Sequence, residues 1–458
     1  MRFFCYNQGL GEEMNKDLTR GPITKSLIMF TVPMVMGNFL QQLYNIVDTI
    51  IVGKYLGQNA LAAVGSSYTL MVFITSIILG LCMGSGALFS ILYGKKDEDG
   101  LRRNIAASFI MILIITLIIT VISYLLLDYL KVFLNVPDDV WWMMKDYLII
   151  IFAGIFATFL YNYFACYLRS LGNSKVPLYF LSVSAVVNVI LDLYFIIGLD
   201  MGVKGAAYAT FIAQYISGIG IMIYVLRVSD EFKRISFSDF DLSNIKEISS
   251  FSFLTCLQQS VMNLGILMVQ GVVNSFGSIT MAAFATAVKI DSFAYMPSQD
   301  FGNAFSTFIA QNHGARKDDR IKKGIKIAFI ISSLFCIMIS ILVFVFAKEL
   351  MMIFVKKEEV AVIAQGVRYL RIEGVFYIGI GWLFLLYGLY RAIEKPGMSV
   401  VLTIISLGTR VVLAYVLTAV PEISFTGIPL SIIIGWILAD VTGIVYYLIC
   451  NKRREAYE

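Results

Sequence analysis

Long apolar stretches constrain this chain more than any other feature of its sequence. They recur from one end to the other, separated by short polar or Gly- and Pro-containing breaks. A helix of about 20 apolar residues crosses a bilayer, so the pattern predicts many membrane-spanning helices. Because 59% of the residues are hydrophobic and only 15% are charged, a water-soluble globular domain is excluded.

The stretches predict twelve spans and therefore an all-α membrane protein. The predicted ranges are 24–53, 60–93, 101–130, 140–168, 176–198, 203–227, 244–274, 280–312, 321–347, 360–391, 397–420 and 425–450. Several are longer than a bilayer requires, so we expect these helices to be tilted, bent or longer than the lipid is thick.

The distribution of Lys and Arg tests this count. With a cytoplasmic amino terminus, the inner segments hold 25 basic residues and the outer loops hold six. Such a bias follows the positive-inside rule and predicts that both termini are cytoplasmic. The net charge of +5 is therefore explained by topology, and no nucleic-acid partner is expected.

The sequence also repeats itself. The segment "YGKKDEDGLRRNI" at 93–105 aligns with "HGARKDDRIKKGI" at 313–325, a shift of 220, and Gly205 aligns with Gly427, a shift of 222. Two homologous lobes of six helices follow, in a parallel repeat with a pseudo-two-fold axis along the membrane normal. The predicted division is an amino-terminal segment 1–23, an N-lobe 24–227, a linker 228–243, a C-lobe 244–450 and a tail 451–458.

The stretch "AVVNVILDLYFIIG" at 185–198 has a carboxylate inside an apolar span, and such a costly group needs an explanation. Asn188 and Asp192 are four residues apart and share a helix face. In mid-membrane an Asp is unfavourable by roughly 2.5–3.5 kcal/mol, so such residues usually face a protein interior or a water-filled cavity. This pair therefore indicates a buried polar site within the fifth span.

These motifs resemble a known family. The chain carries "TVPMVMGNFLQQLYNIVDTIIVGKYLG" in the first span, a charged Gly-[Lys/Ala]-[Lys/Arg] loop after the second span of each half, "NVILD" in the fifth span and "GAAYAT" in the sixth. Together they resemble the multidrug and toxic compound extrusion (MATE) family of cation-coupled exporters. The resemblance extends from about Thr19 to Ile449.

The resemblance implies roles for five residues. It implies that Asp48, Asn188, Asp192 and Thr210 bind the coupling cation or proton, that the first three could hold Na⁺, and that helix 1 bends at Pro33. Residue count agrees, because it places Asp48, Asp192 and Thr210 about 9–10 Å from the outer ends of their helices. Four oxygen-bearing side chains at one level suit a hard cation, or a proton shared by the two carboxylates. It implies no cofactor beyond the coupling ion. It further implies a multi-pass protein of the bacterial plasma membrane that exports amphipathic or cationic small molecules by antiport. We expect a monomer surrounded by membrane lipid.

The second half does not repeat this site, because Met268 aligns with Asp48 and Arg410 with Asn188. It carries other charges within its spans, namely Asp291, Asp300, Glu373 and Arg410. A charge-neutralising network is one interpretation of this set. A site for substrate or a second coupling site is the other.

A lipid-linked oligosaccharide flippase of the same broader superfamily is the alternative function, and it would require a strongly basic cavity. Dye efflux from cells distinguishes the two.

No nucleophile–base pair, metal cluster or nucleotide-binding loop is apparent, so an enzyme is not expected. The six cysteines are scattered and predict neither a disulfide framework nor a metal site. Gly80, Gly84 and Gly86 lie within a span and predict close helix packing. Residues 1–22 do not have the pattern of a cleaved signal peptide, so we expect the first span to direct insertion.

Overall fold

The computed structural model describes residues 17–133, 136–235 and 242–455. The predicted amino-terminal segment, linker and tail lie partly outside these residues. Throughout the described part the chain is helical, with no strand. The elements of the first half are α1 Ile23–Leu56, α2 Gln58–Lys95, α3 Glu98–Leu125, α4 Leu127–Phe133, α5 Asp138–Ala153, α6 Ile155–Ser170, α7 Lys175–Asp192, a π turn Leu193–Gly198, α8 Gly202–Val228 and α9 Asp230–Lys233.

The second half has the same plan. Its elements are α10 Leu242–Asn274, α11 Ser278–Gly314, α12 Asp318–Phe354, α13 Val360–Gly374, α14 Tyr377–Ala392, α15 Pro396–Thr418, a 3₁₀ turn Ser424–Thr426 and α16 Gly427–Glu455.

Helices lie over all twelve predicted spans. Among the described residues, eight helices are long and apolar enough to cross a membrane, and two bent pairs raise that number to ten. The remaining two predicted spans are the long helices α10 and α11. The bent pairs are α5 with α6, at 43°, and α13 with α14, at 53°. The expectation that some spans bend is therefore confirmed.

The repeat is visible in backbone geometry as well as in sequence. Lys96 and Arg316, which are 220 residues apart, are both left-handed, with φ of 59° and 54°. The following residues make the same closing bond, from Asp97 N to Leu92 O at 3.1 Å and from Lys317 N to Asn312 O at 2.9 Å. One turn geometry thus ends the second long helix of each half.

The chain divides into two compact units. The first comprises Met1–Leu18 and Met29–Cys256, and the second comprises Thr19–Ile28 and Leu257–Glu458. We call them the amino-terminal and carboxyl-terminal units. Helix α1 begins in the carboxyl-terminal unit and continues in the amino-terminal one, and α10 changes unit after Cys256.

Close packing in the amino-terminal unit depends on glycine. A Cβ at Gly84 would lie 2.3 Å from the carbonyl oxygen of Phe251, and one at Gly80 would lie 2.6 Å from Cys256 Cα. Ser85 and Ser252 share a hydrogen bond of 2.8 Å at the same contact. The predicted packing role of Gly80 and Gly84 is therefore confirmed.

The start of α1 is held by cationic side chains of the carboxyl-terminal unit. Lys317 Nζ donates to Thr19 O at 2.8 Å, while Arg320 donates to Gly21 O at 2.7 Å and to Arg20 O at 2.8 Å. These bonds satisfy carbonyl groups ahead of the first turn, where no helical partner exists.

Candidate functional site

The amino-terminal unit contains the four oxygen-bearing residues predicted to form a site. Asp192 is the last residue of α7 and is 0% exposed, and Asn188, one turn earlier, is also buried. Asp48 on α1 and Thr210 on α8 are half-buried. Asn188 Nδ2 donates to Thr210 Oγ1 at 3.4 Å, which links α7 to α8.

The two carboxylates are near enough to interact electrostatically. Asp192 Oδ1 and Oδ2, Asp48 Oδ1 and Asn188 Oδ1 are buried oxygens with no hydrogen-bond partner among the described residues. Buried polar atoms normally have partners, and two like charges in an apolar region repel each other. A bound cation or proton would satisfy these oxygens and cancel the repulsion.

A fifth residue, Tyr147 of α5, belongs to this group, and sequence reasoning missed it. Its side chain is close enough to Asp48, Asp192 and Thr210 to interact with them electrostatically. It is 7% exposed. The chain has 25 tyrosines, so a tyrosine within a predicted span carries little signal by itself.

The chain leaves the site through a π turn, which the sequence did not predict. Leu193–Gly198 follows Asp192 directly, and Leu199 N donates to Tyr194 O at 3.0 Å. Gly205 of α8 lets the two elements meet, because a Cβ there would lie 3.1 Å from the Phe195 carbonyl carbon. Single π turns are frequent at functional sites.

An apolar cluster lies toward the Leu56 end of α1 and the Gly202 end of α8. It includes Ile51, Val52, Ile196, Val203 and Ala206, all less than 9% exposed. Tyr147 belongs to the same cluster. In the predicted orientation this is the outer side of the site.

Pro33 lies inside α1, which is one continuous helix across it. Because proline has no N–H, it removes the hydrogen bond to the carbonyl of Met29 and favours a bend. The residue precedes Asp48 by fifteen positions, or about 22 Å along the helix. A bend at Pro33 remains a prediction.

The carboxyl-terminal unit brings together three of its four predicted charges. Asp291 and Glu373 are buried, at 2% and 4% exposed, and both interact electrostatically with Arg410. No ion pair within 4.0 Å joins Arg410 to either carboxylate in the part of the chain that is described. Tyr377 Oη donates to Asp291 Oδ1, and the side chain of Tyr369 lies near Glu373.

This arrangement is compatible with both interpretations of the charges. Arg410 offsets the carboxylates, as a neutralising network requires. Three buried atoms nevertheless lack hydrogen-bond partners among the described residues, namely Asp291 Oδ2, Glu373 Oε2 and Arg410 Nε. Buried polar atoms that are free to bind a ligand are what a binding site requires. Asp300 is also buried but lies nine residues beyond Asp291 on α11, or about 13.5 Å.

The donor set of the amino-terminal site restricts its ligand. It contains two carboxylates, one amide and two hydroxyl groups, and no sulfur or imidazole. No group of three or more His, Cys, Asp and Glu side chains suitable for a metal occurs within residues 17–133, 136–235 and 242–455. Oxygen ligands of this kind suit Na⁺, and a close carboxylate pair equally suits a proton.

Comparison with solved structures defines the class to which the fold belongs. The structure superposes on that of a MATE in the bent conformation with a TM-score of 0.89, covering 96% of this chain and 98% of that one at 23% identity. An outward-facing MATE transporter of the MOP superfamily gives a TM-score of 0.88 at 24% identity, covering 94% and 96% of the two chains. The fold is that of a two-lobed, twelve-helix MATE transporter.

The family follows from sequence. The MatE family model matches residues 33–194 and 252–416. The chain is 30% identical over 436 residues to the probable multidrug resistance protein YpnP of Bacillus subtilis, covering 94% of this chain and 96% of the relative. It therefore belongs to the MatE family of multidrug efflux transporters, and the predicted family and fold class are confirmed. Its relatives are transporters of small molecules and not enzymes.

Proposed function

We propose that this protein is a secondary antiporter that exports amphipathic, mainly cationic, small molecules in exchange for Na⁺ or H⁺ by alternating access. It lies in the bacterial plasma membrane with both termini in the cytoplasm. The observation that carries the proposal is the group of buried, unpartnered oxygens of Asp48, Asn188 and Asp192 in the amino-terminal unit. An isolated structural carboxylate would have found a partner.

The coupling step begins at the two carboxylates. When both are ionised, they repel each other across a region of low dielectric, and a cation or proton removes that repulsion. The ligand therefore favours the arrangement of α1, α7 and α8 that brings the oxygens together. Asn188 and Thr210 supply neutral oxygens and hold α7 against α8.

The conformational change is assigned to α1. Pro33 gives this helix two shapes at modest cost, and Asp48 on the same helix responds to site occupancy. Ligand binding at Asp48 and Asp192 would favour one shape and release the exported molecule. Because linkage is reciprocal, the exported molecule must weaken cation binding by the same factor.

The driving force is sufficient for export. A potential of 100 mV is worth about 2.3 kcal/mol for each charge moved. That energy supports a concentration ratio of roughly 50. Relatives such as the multidrug export protein MepA of Staphylococcus aureus, 21% identical over 441 residues, are consistent with a drug-like cargo.

The test uses the full chain in sealed vesicles. Ethidium export is measured under a sodium gradient and a pH gradient imposed separately, which also identifies the coupling ion. We expect Asp192→Asn and Asp48→Asn each to abolish gradient-driven export while leaving expression and insertion intact, because each removes a charge without changing side-chain volume.

Asp319→Asn is the matched control, since Asp319 is an exposed carboxylate in the first turn of α12. It should export at the parental rate. Near-normal gradient-driven export by either Asp192→Asn or Asp48→Asn would refute the coupling assignment.

A further inference from the structure

The carboxyl-terminal unit contains a cavity that the coupling site does not use. It has a volume of about 190 Å³ and lies between α14 and α16, next to the 53° bend that separates α13 from α14. Phe376, Trp382 and Trp436 contribute aromatic surface to its lining. Val441, which is 54% exposed, lies at its edge, so the cavity opens at the surface of the unit.

One carboxylate lines this otherwise apolar cavity. Asp440 of α16 is 6% exposed, and its Oδ1 has no hydrogen-bond partner among the residues that the structure describes. The helix begins at Gly427, thirteen residues earlier, which places Asp440 about 20 Å from that end and deep in the membrane region. A buried carboxylate is costly unless a charge or donor meets it.

The internal repeat indicates that packing does not require this carboxylate. At a shift of 222, Gly218 corresponds to Asp440 and Ala157 corresponds to Gly379. In the amino-terminal unit these two helices pack directly, because a Cβ at Gly218 would lie 2.6 Å from the Ala157 carbonyl oxygen. In the carboxyl-terminal unit Gly379 faces this carboxylate at close range, because a Cβ there would lie 3.3 Å from Trp436 Cβ and 3.6 Å from Asp440 Oδ2.

The aromatic walls are held in place. Trp382 Nε1 donates to Ser333 Oγ at 2.9 Å, and the ring packs edge-on to Phe329 at 5.5 Å between centroids. Trp436 is 5% exposed. Tryptophan is the most favourable aromatic partner for an organic cation, and one carboxylate then balances its charge. An alkali or divalent metal ion would instead require several oxygen ligands.

We propose that this cavity between α14 and α16 is a binding site for the charged head of an organic cation, with Asp440 as its counter-ion and Trp382 and Trp436 as its walls. A cavity of about 150 Å³ admits a benzene ring, so this one accommodates a quaternary ammonium group or one ring and leaves the rest of a larger molecule outside. The inference rests on the proposed export of cations and assigns them a site.

The test measures binding to the full chain in detergent, with phenyltrimethylammonium as the probe and tryptophan fluorescence as the signal. We expect Asp440→Asn to raise the Kd about tenfold, since it removes the counter-ion and keeps the volume. Asp440→Glu retains the charge and should stay within about threefold of the parental Kd. Asp319→Asn should bind as the parental protein does.

A second variant keeps the proposal testable if Asp440→Asn does not fold. Val441→Trp fills the mouth of the cavity from an exposed position and should also raise the Kd about tenfold. Parental affinity in either Asp440→Asn or Val441→Trp would overturn the proposal, and so would equal weakening by Asp440→Glu and Asp440→Asn, which would indicate a structural role.

Ethidium export by the same proteins separates this inference from the proposed function. If the parental protein exports ethidium but Asp440→Asn binds the probe normally, the site is wrong and the antiporter stands. If probe binding depends on Asp440 but no gradient drives export, the site stands and the antiporter is wrong.

Discussion

Gly205 provides a direct test of how the π turn supports the coupling site. We predict that Gly205→Ala destabilises the protein, although alanine is the better helix former. The new Cβ would lie 3.1 Å from the Phe195 carbonyl carbon and 3.3 Å from the Ile196 nitrogen. Carbon atoms in ordinary contact are about 3.5–4.0 Å apart, so α8 or the π turn must move by about 0.4 Å or more.

The magnitude follows from two opposing terms. Overpacking of this kind costs about 1–3 kcal/mol. Replacing glycine in a helix returns at most about 1 kcal/mol. We therefore expect a net loss of roughly 1 kcal/mol. The hydrogen bond from Asn188 to Thr210 is already long at 3.4 Å, so the same displacement would break it and impair the cation site.

The assay measures two quantities for each variant: the Tm of thermal unfolding in detergent and the rate of gradient-driven ethidium export. Gly408→Ala is the control, because Gly408 lies inside α15 and a Cβ there would meet nothing within 4 Å. We expect the control to keep or slightly raise the Tm, whereas Gly205→Ala lowers it by about 1–3 °C and slows export severalfold.

Two results would refute this reasoning. If Gly205→Ala raises the Tm as Gly408→Ala does, the close contact between α8 and the π turn does not limit packing. If the Tm falls but gradient-driven export is unchanged, the contact is structural and does not position Asn188 and Thr210.

Three further predictions concern residues on other helices. Tyr147→Phe should weaken ion dependence severalfold with little effect on folding, because it removes a hydroxyl that interacts electrostatically with both carboxylates; unchanged ion titration of export would contradict this. Pro33→Ala should leave equilibrium ethidium binding within a few fold and strongly slow turnover, and export at the parental rate would rule out the bending mechanism. Asp291→Asn should change export rate or substrate preference more than ion dependence; a loss of ion dependence as large as that of Asp192→Asn would place coupling in the carboxyl-terminal unit.

Much of this architecture is readable from the chain. The length of the apolar stretches and the positive-inside bias depend on local composition, so they indicate the helices without tertiary information. The two halves are indicated in the same way by the repeated segments "YGKKDEDGLRRNI" and "HGARKDDRIKKGI". Asn188 and Asp192 stand out for the same reason, because a polar group in a membrane span is costly wherever it lies. Asp48 and Thr210 were assigned through the family resemblance, and residue count gives them the same depth.

Other features were decided by packing between helices that are distant in sequence. Tyr147 joins the site because α5 packs against α8, and nothing in the local sequence distinguishes it from other tyrosines along the chain. Asp440 lies within a predicted span and could have been noted as costly, but the cavity that it lines is formed between α14 and α16, next to the 53° bend that separates α13 from α14. Periodicity reports which residues are apolar, whereas the contacts that form a site depend on angles between helices, which no local pattern encodes.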